Sequence, residues 1–177
     1  NLKWYLNLLR SSEKSGEKRT GSYSISQITI KNGRFSLIDK TGSETKMLMD
    51  FNNLRLEAIN GSIENLRMLN DSITFRINDL GFTESKGFLA RSLNSKVVLA
   101  GHDIVFRDLF LYLDSSIINA ENIVIAADSS DSFQRFADEV RLEIMLQKSL
   151  VSSADLKFFL PSLRGLNETV ALSGKVS

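Results

Sequence analysis

The chain has 177 residues, with 22 Lys and Arg against 21 Asp and Glu and a formal net charge of +1. This is long enough for one domain with a real core, and the balanced charge argues against a nucleic-acid partner, since no basic stripe interleaved with aromatics is present. Cysteine is absent, which excludes a disulfide scaffold and a cysteine zinc site and fits an oxidising compartment.

The chain opens at Asn1 and closes inside an alternating pattern at Val176-Ser177. It therefore reads as a segment of a longer protein, with any signal peptide or membrane anchor outside it. No apolar run approaches the ~20 residues needed to cross a bilayer. Leu2, Trp4, Tyr5, Leu6, Leu8 and Leu9 follow the spacing of one amphipathic helical face, which suits a helix packed on the body or lying on a membrane surface. Ser11 to Ser22 is charged, rich in Ser and Gly and without periodicity, as in a mobile linker. Residues 1–23 are thus expected to be helix plus linker, and residues 24–177 a β-rich module.

Asn32-Gly33 stands between two alternating runs. Asn and Gly tolerate the positive φ of a type I′ turn best, so this pair predicts a two-residue hairpin. In that register Ile30 faces Phe35 and Ile28 faces Leu37, with Lys31 opposite Arg34 and Thr29 opposite Ser36. The large apolar residues then share one side of the ribbon.

From Ser24 onward the period is two almost throughout. Met47, Met49 and Phe51 alternate, then Leu54, Leu56 and Ala58 continue in the opposite phase after Asn52-Asn53. A one-residue slip of this kind marks a bulge or corner. Ile73, Phe75 and Ile77 alternate, as do Val97 and Leu99. Ile104 and Phe106 pass through a second slip at Arg107-Asp108 into Leu109, Leu111 and Leu113. Ile123 with Ile125, then Val140, Leu142, Ile144 and Leu146, then Val170, Leu172 and Val176 complete the series. This amounts to about ten strands, each solvated on one face. Ser130-Asp131 is placed to cap one helical turn through Phe133 and Phe136. Ser152 or Ser153 is placed to cap a helix from Ala154 to Leu160, with Asp155 in its first turn and Pro161 near its end. The expected fold is mainly β: a curved, twisted, antiparallel-rich sheet forming a groove or an open sandwich, with a few short helices plugging an end or edge.

Sites for chemistry are sparse. His102-Asp103 is the sole histidine–carboxylate neighbour pair in the sequence, and adjacent strand residues point to opposite faces, so it reads as a polar turn. Ser11-Ser12-Glu13-Lys14 and Ser43-Glu44-Thr45-Lys46 match Ser-x-x-Lys but fall in expected loops. No phosphate-binding loop, zinc motif, nucleophile elbow or calcium loop occurs. No catalytic residue, metal or cofactor is expected. The apolar face fits two descriptions, a closed core or an open groove.

Three stretches resemble the AsmA-like and translocation-and-assembly-module B (TamB) proteins of Gram-negative bacteria, most closely those of the Bacteroidetes. They are Ile28 to Phe35; Phe51 to Leu56 with Ile73-Thr74-Phe75 and Glu84 to Phe88; and Ser152 to Pro161 with Leu172 to Val176. The resemblance runs from about Ser24 to Ser177 and carries over no catalytic residue. It implies an envelope protein held in the inner membrane and spanning the periplasm, whose curled sheet (β-taco-like) forms an apolar groove for phospholipid transport toward the outer membrane. It equally allows a role in outer-membrane protein assembly, in which strand edges work with a barrel partner; a structural spacer is the third class. The groove candidates are Ile28, Ile30, Phe35, Leu37, Leu54, Leu56, Ile73, Phe75, Ile77, Val97, Leu99, Ile104, Phe106, Ile123, Ile125, Leu142, Ile144 and Leu146. The expected partners are phospholipid acyl chains.

Overall fold

The computed structural model describes residues 22–38, 48–50, 53–69, 72–127 and 140–176. Over these residues the chain is mainly β, as expected. Eight strands form one open sheet in simple sequence order. They are β1 (Tyr23–Ile38), β2 (Asn53–Leu69), β3 (Ser72–Glu84), β4 (Leu89–Ala100), β5 (Asp103–Leu113), β6 (Ile117–Ala127), β7 (Val140–Ser152) and β8 (Thr169–Val176). Every pairing is antiparallel.

The predicted hairpin does not form. β1 runs straight through Asn32-Gly33 and pairs along its length with β2, so that Ile28 faces Ile63, Ile30 faces Gly61, Phe35 faces Leu56 and Leu37 faces Leu54. Asn32 does adopt positive φ, at 49°, but as the extra residue of a β-bulge rather than a turn. Its N–H donates to Asn60 Oδ1 at 2.9 Å, and Asn60 Nδ2 donates to the Ala58 carbonyl at 2.8 Å. A cross-strand partner thus supplies what the turn would have supplied. Among the described residues there are eight strands, two of them long, β1 at 16 and β2 at 17 residues, where about ten strands were expected over the chain.

The bulge at Asn32 belongs to a line of them. Ala58, Asp79 and Asp108 also have positive φ inside strands, and the register shifts beside each in β2, β3 and β5. Asp79 N–H donates to Asn94 Oδ1 at 2.9 Å, carrying the line across β4. Further shifts cross β6–β7 and β7–β8. Each bulge adds a residue, bends its strand and resets the alternation. The slip read at Arg107-Asp108 is the bulge at Asp108. The slip read at Asn52-Asn53 falls on Phe51 and Asn52, which lie outside the described residues; the Ala58 bulge is a further slip, after Leu56.

One end of the sheet is capped. Ser152 accepts from Ala154 N–H at 3.2 Å and starts helix α1 (Ser153–Leu156), shorter than the predicted Ala154 to Leu160. Pro161 opens a 3₁₀ turn (Pro161–Leu163) instead of ending the helix, because its fixed φ suits a first helical position. Phe158 and Phe159 pack edge-on against Phe88 of the β3–β4 turn, at centroid distances of 5.5 and 5.4 Å. Met49 joins them through its N–H to the Phe158 carbonyl at 2.8 Å. The Met47–Phe51 alternation therefore does not mark a strand at Met49, which lies in a bend and is buried in this cluster. Truncating Phe88 to Ala should cost about 3 kcal/mol, from lost contacts and the cavity left behind. A thermal melt followed by circular dichroism should fall by about 6–12 °C. The predicted helices near Leu2–Leu9 and Phe133–Phe136, and the linker before Ser22, lie outside the described residues.

Candidate functional site

Residues opposite each other in register share a face, and alternation assigns the rest. One register row reads Phe75, Val97, Phe106, Ile123, Ile144 across β3 to β7. The next reads Ile73, Leu99, Ile104, Ile125, Leu142. Ile28, Ile63 and Ile77 form a third across β1 to β3, which meets Ser95 on β4. The bulges return Phe35, Leu37, Leu54 and Leu56 to the same side beyond the line, and Leu146 follows Ile144 by alternation along β7. With Ile30, which alternates with Ile28 on β1 and faces Gly61, all eighteen residues predicted for the groove fall on one face.

The opposite face is polar where these rows are apolar. Behind the first row run Glu64, Arg76, Lys96, Arg107 and Asn122 in direct register. Val98, Val105 and Val124 form a half-buried aliphatic strip beside them. Two shallow recesses open on this face at the bulges, one around Thr29, Lys31, Asn60 and Asp79, the other around Arg107, Asp108, Glu121 and Asn122.

The apolar face differs along its length. At the capped end, Leu54, Phe82, Ala90, Leu111, Leu113 and Ile118 pack into the cluster with Met49, Phe88 and Phe158. Leu54 is partly buried and packs against this cluster, unlike the groove candidates beyond the bulge line. Beyond the bulge line no second layer of described residues packs on the sheet; strand contacts run between sequence neighbours. There Val97 and Ile77 are buried among their neighbours. Phe75, Leu99, Ile104, Phe106, Ile123, Ile125 and Ile144 are half-buried, and Ile28 and Leu142 are exposed at the margins.

Polar side chains on this face are few, and their groups are already used. Ser95 Oγ donates to the Arg107 carbonyl at 2.9 Å. Ser149 Oγ donates to backbone carbonyls and accepts from Asn119 N–H at 2.9 Å. Glu84, 1% exposed, accepts from Ser85 Oγ at 2.8 Å and Lys86 N–H at 2.7 Å near the capped end.

Sequence reasoning passed over Ile59, which faces Gly33 of β1, and Ile63, which bridges Ile28 of β1 and Ile77 of β3 on this face. Their signal was the alternation Ile59-Gly61-Ile63, out of phase with Leu54 and Leu56 because of the Ala58 bulge. His102 sits in the β4–β5 turn, as read from its neighbours. Lys31 and Arg34 are exposed and lie along β1, not around a hairpin. Among the described residues no group of His, Asp or Glu is placed to hold a metal ion, and no helix is long and apolar enough to cross a membrane. Comparisons with protein-family models, with curated proteins and with solved structures found no match.

Proposed function

We propose that the apolar face is a track for phospholipid acyl chains, in a segment of an inner-membrane-anchored bridge that carries lipid across the periplasm toward the outer membrane. The observation that supports this most is the pair of uninterrupted apolar rows, Phe75 to Ile144 and Ile73 to Leu142, with no described layer packed over them. A monomeric soluble domain rarely exposes so long an apolar face without use for it. The resemblance to TamB proteins supplies the envelope setting.

The mechanism is passive. Each acyl methylene moved from water onto the face gains about 0.8 kcal/mol. Strands lie about 4.8 Å apart, so a chain crossing the rows meets the same chemistry at every step and no deep trap. Direction has to come from outside this segment. The aromatic cluster of Phe88, Phe158 and Phe159 covers the face at one end. Lipid therefore enters and leaves away from this cluster, at the sheet margins. A second reading, assembly of outer-membrane proteins, is favoured by the outer edges of β1 and β8, which pair with no described strand and are open to an added one.

The test is lipid content. Protein purified without detergent from cells with a Gram-negative envelope should carry phospholipid, quantified by mass spectrometry. When stripped, it should withdraw fluorescent phospholipid from vesicles. A stripped protein that takes up none would overturn the proposal.

A further inference from the structure

The residues that precede the sheet have the pattern to cover part of its apolar face. In residues 1–10, Leu2, Tyr5, Leu6 and Leu9 recur at the spacing of one helical stripe, with Trp4 and Leu8 beside it. Lys3, Asn7 and Arg10 follow the same spacing on the opposite side. A helix this short is marginal in water by itself, so such a stripe gains order only against an apolar surface. The longer of the other segments outside the described residues carry less. Residues 39–47 offer Met47 alone among large apolar side chains, and residues 128–139 offer Phe133 and Phe136 among Asp128, Asp131, Asp138 and Glu139.

The register brings residues 1–10 within reach of the face. Tyr23, at the start of β1, stands opposite Met68, and Met68 stands opposite Ile73. Ile73 heads the row that runs through Leu99, Ile104 and Ile125 to Leu142. The chain before β1 therefore leaves the sheet at the end away from the Phe88 cluster. Ser11 to Ser22 is a stretch of 12 residues rich in Ser and Gly. A tether of that length and composition spans about 19 Å root-mean-square. Strand spacings of about 4.8 Å make this the distance from β1 to β5. There Ile104 and Phe106, at the middle of the two rows, are half-buried by their strand neighbours. A helix from Leu2 to Leu9 is about 12 Å long, enough to lie over two or three strands.

We propose that residues 1–10 dock as an amphipathic helix on this chain's own apolar face, over the rows from Ile73 to Leu142 and from Phe75 to Ile144, with Lys3 and Arg10 turned to solvent. The tether makes docking intramolecular, so it is independent of protein concentration. Docking requires no lipid. Where the lipid track also operates, the helix and an acyl chain compete for one surface.

Trp4 is the single tryptophan of the chain, so intrinsic fluorescence of the whole chain, stripped of lipid and without vesicles, reports on these residues directly. Its emission should lie to the blue of free tryptophan. Acrylamide should quench it at least about threefold less than in Leu6→Asp, whose carboxylate resists burial against the sheet. That substitution lies outside the strands and should leave the melting temperature unchanged. The face is checked by cross-linking, which the absence of native cysteine makes specific. A short bismaleimide should join Leu6→Cys to Phe106→Cys at least about tenfold faster than Leu6→Cys to Lys96→Cys on the polar face. Equal quenching in the parent and Leu6→Asp would overturn the proposal, as would equal cross-linking to the two faces. Shielding of Trp4 that appears only with added vesicles would assign these residues to a membrane surface instead, and shielding that grows with protein concentration would assign them to a second copy; either result overturns the proposal. None of these outcomes bears on whether the stripped protein takes up phospholipid, so the lipid track stands or falls separately.

Discussion

Replacing Gly61 with Ala is expected to cost at least about 4 kcal/mol, placing it among the most damaging single-methyl additions available in this fold. Gly61 has φ of 144°, a conformation that side-chain-bearing residues rarely adopt. A Cβ there would lie 2.7 Å from Leu80 Cα and 2.8 Å from the Asp79 carbonyl oxygen. Both are backbone atoms, held by the β2–β3 pairing on either side of the Asp79 bulge, where Asn60 faces Gly81 and Ser62 faces Asn78. Neither can retreat without opening that pairing. Gly87 provides the contrast, with φ of 97° but nothing within 4 Å of an added Cβ. Gly87→Ala should therefore lose about 1 kcal/mol, from backbone strain alone. Urea unfolding of the two variants, followed by far-ultraviolet circular dichroism, measures the difference. Equal, small losses would show that the bulge line is soft rather than a close backbone contact.

Placing a carboxylate on the apolar face should separate binding from folding. Leu142→Asp and Phe106→Asp are expected to fold, because Leu142 is 37% exposed and Phe106 half-buried, so the new charge reaches water. Folding then loses only apolar contacts, up to about 2 kcal/mol for the Phe. A bound acyl chain would have to cover that charge, which costs several kcal/mol, so lipid extraction should fall at least about tenfold in each variant. Val97→Asp should behave differently. Val97 is 2% exposed between Phe75 and Phe106 in register. A carboxylate there is desolvated without a partner, at a cost comparable to the whole ~5–15 kcal/mol of domain stability. Melting temperature and extracted lipid, measured on all three, distinguish the cases. Unfolding of Leu142→Asp and Phe106→Asp alike, with no lipid on the parent protein, would mean that the face is an ordinary core.

Much of this architecture is local and so was legible in the residues. Alternation at Ile73, Phe75 and Ile77, or at Ile104 and Phe106, states which side of a strand meets water, because successive side chains point to opposite faces. The slip at Arg107-Asp108 reported a bulge for the same reason. The Ser152 cap needed only a hydroxyl before a helical turn.

What local pattern left open is which strand lies beside which. Asn32-Gly33 has the chemistry of a turn, and positive φ at Asn32 is present. Yet the conformation serves a bulge, because a partner seventeen residues long, β2, extends past it on both sides, and Asn60 reaches over to hold it. A long antiparallel pairing satisfies more backbone groups than a hairpin folded back at Asn32 would. Likewise Leu54 carries the same pattern as Ile73. One packs against the cluster that holds Met49 and Phe158, while the other lies on a face that no described layer covers. Period two says that a residue faces the apolar side of a sheet. Only the packing of distant segments such as Met49 and Phe158 decides whether that side becomes a core or stays open, because burial is a property of contacts far apart in the chain.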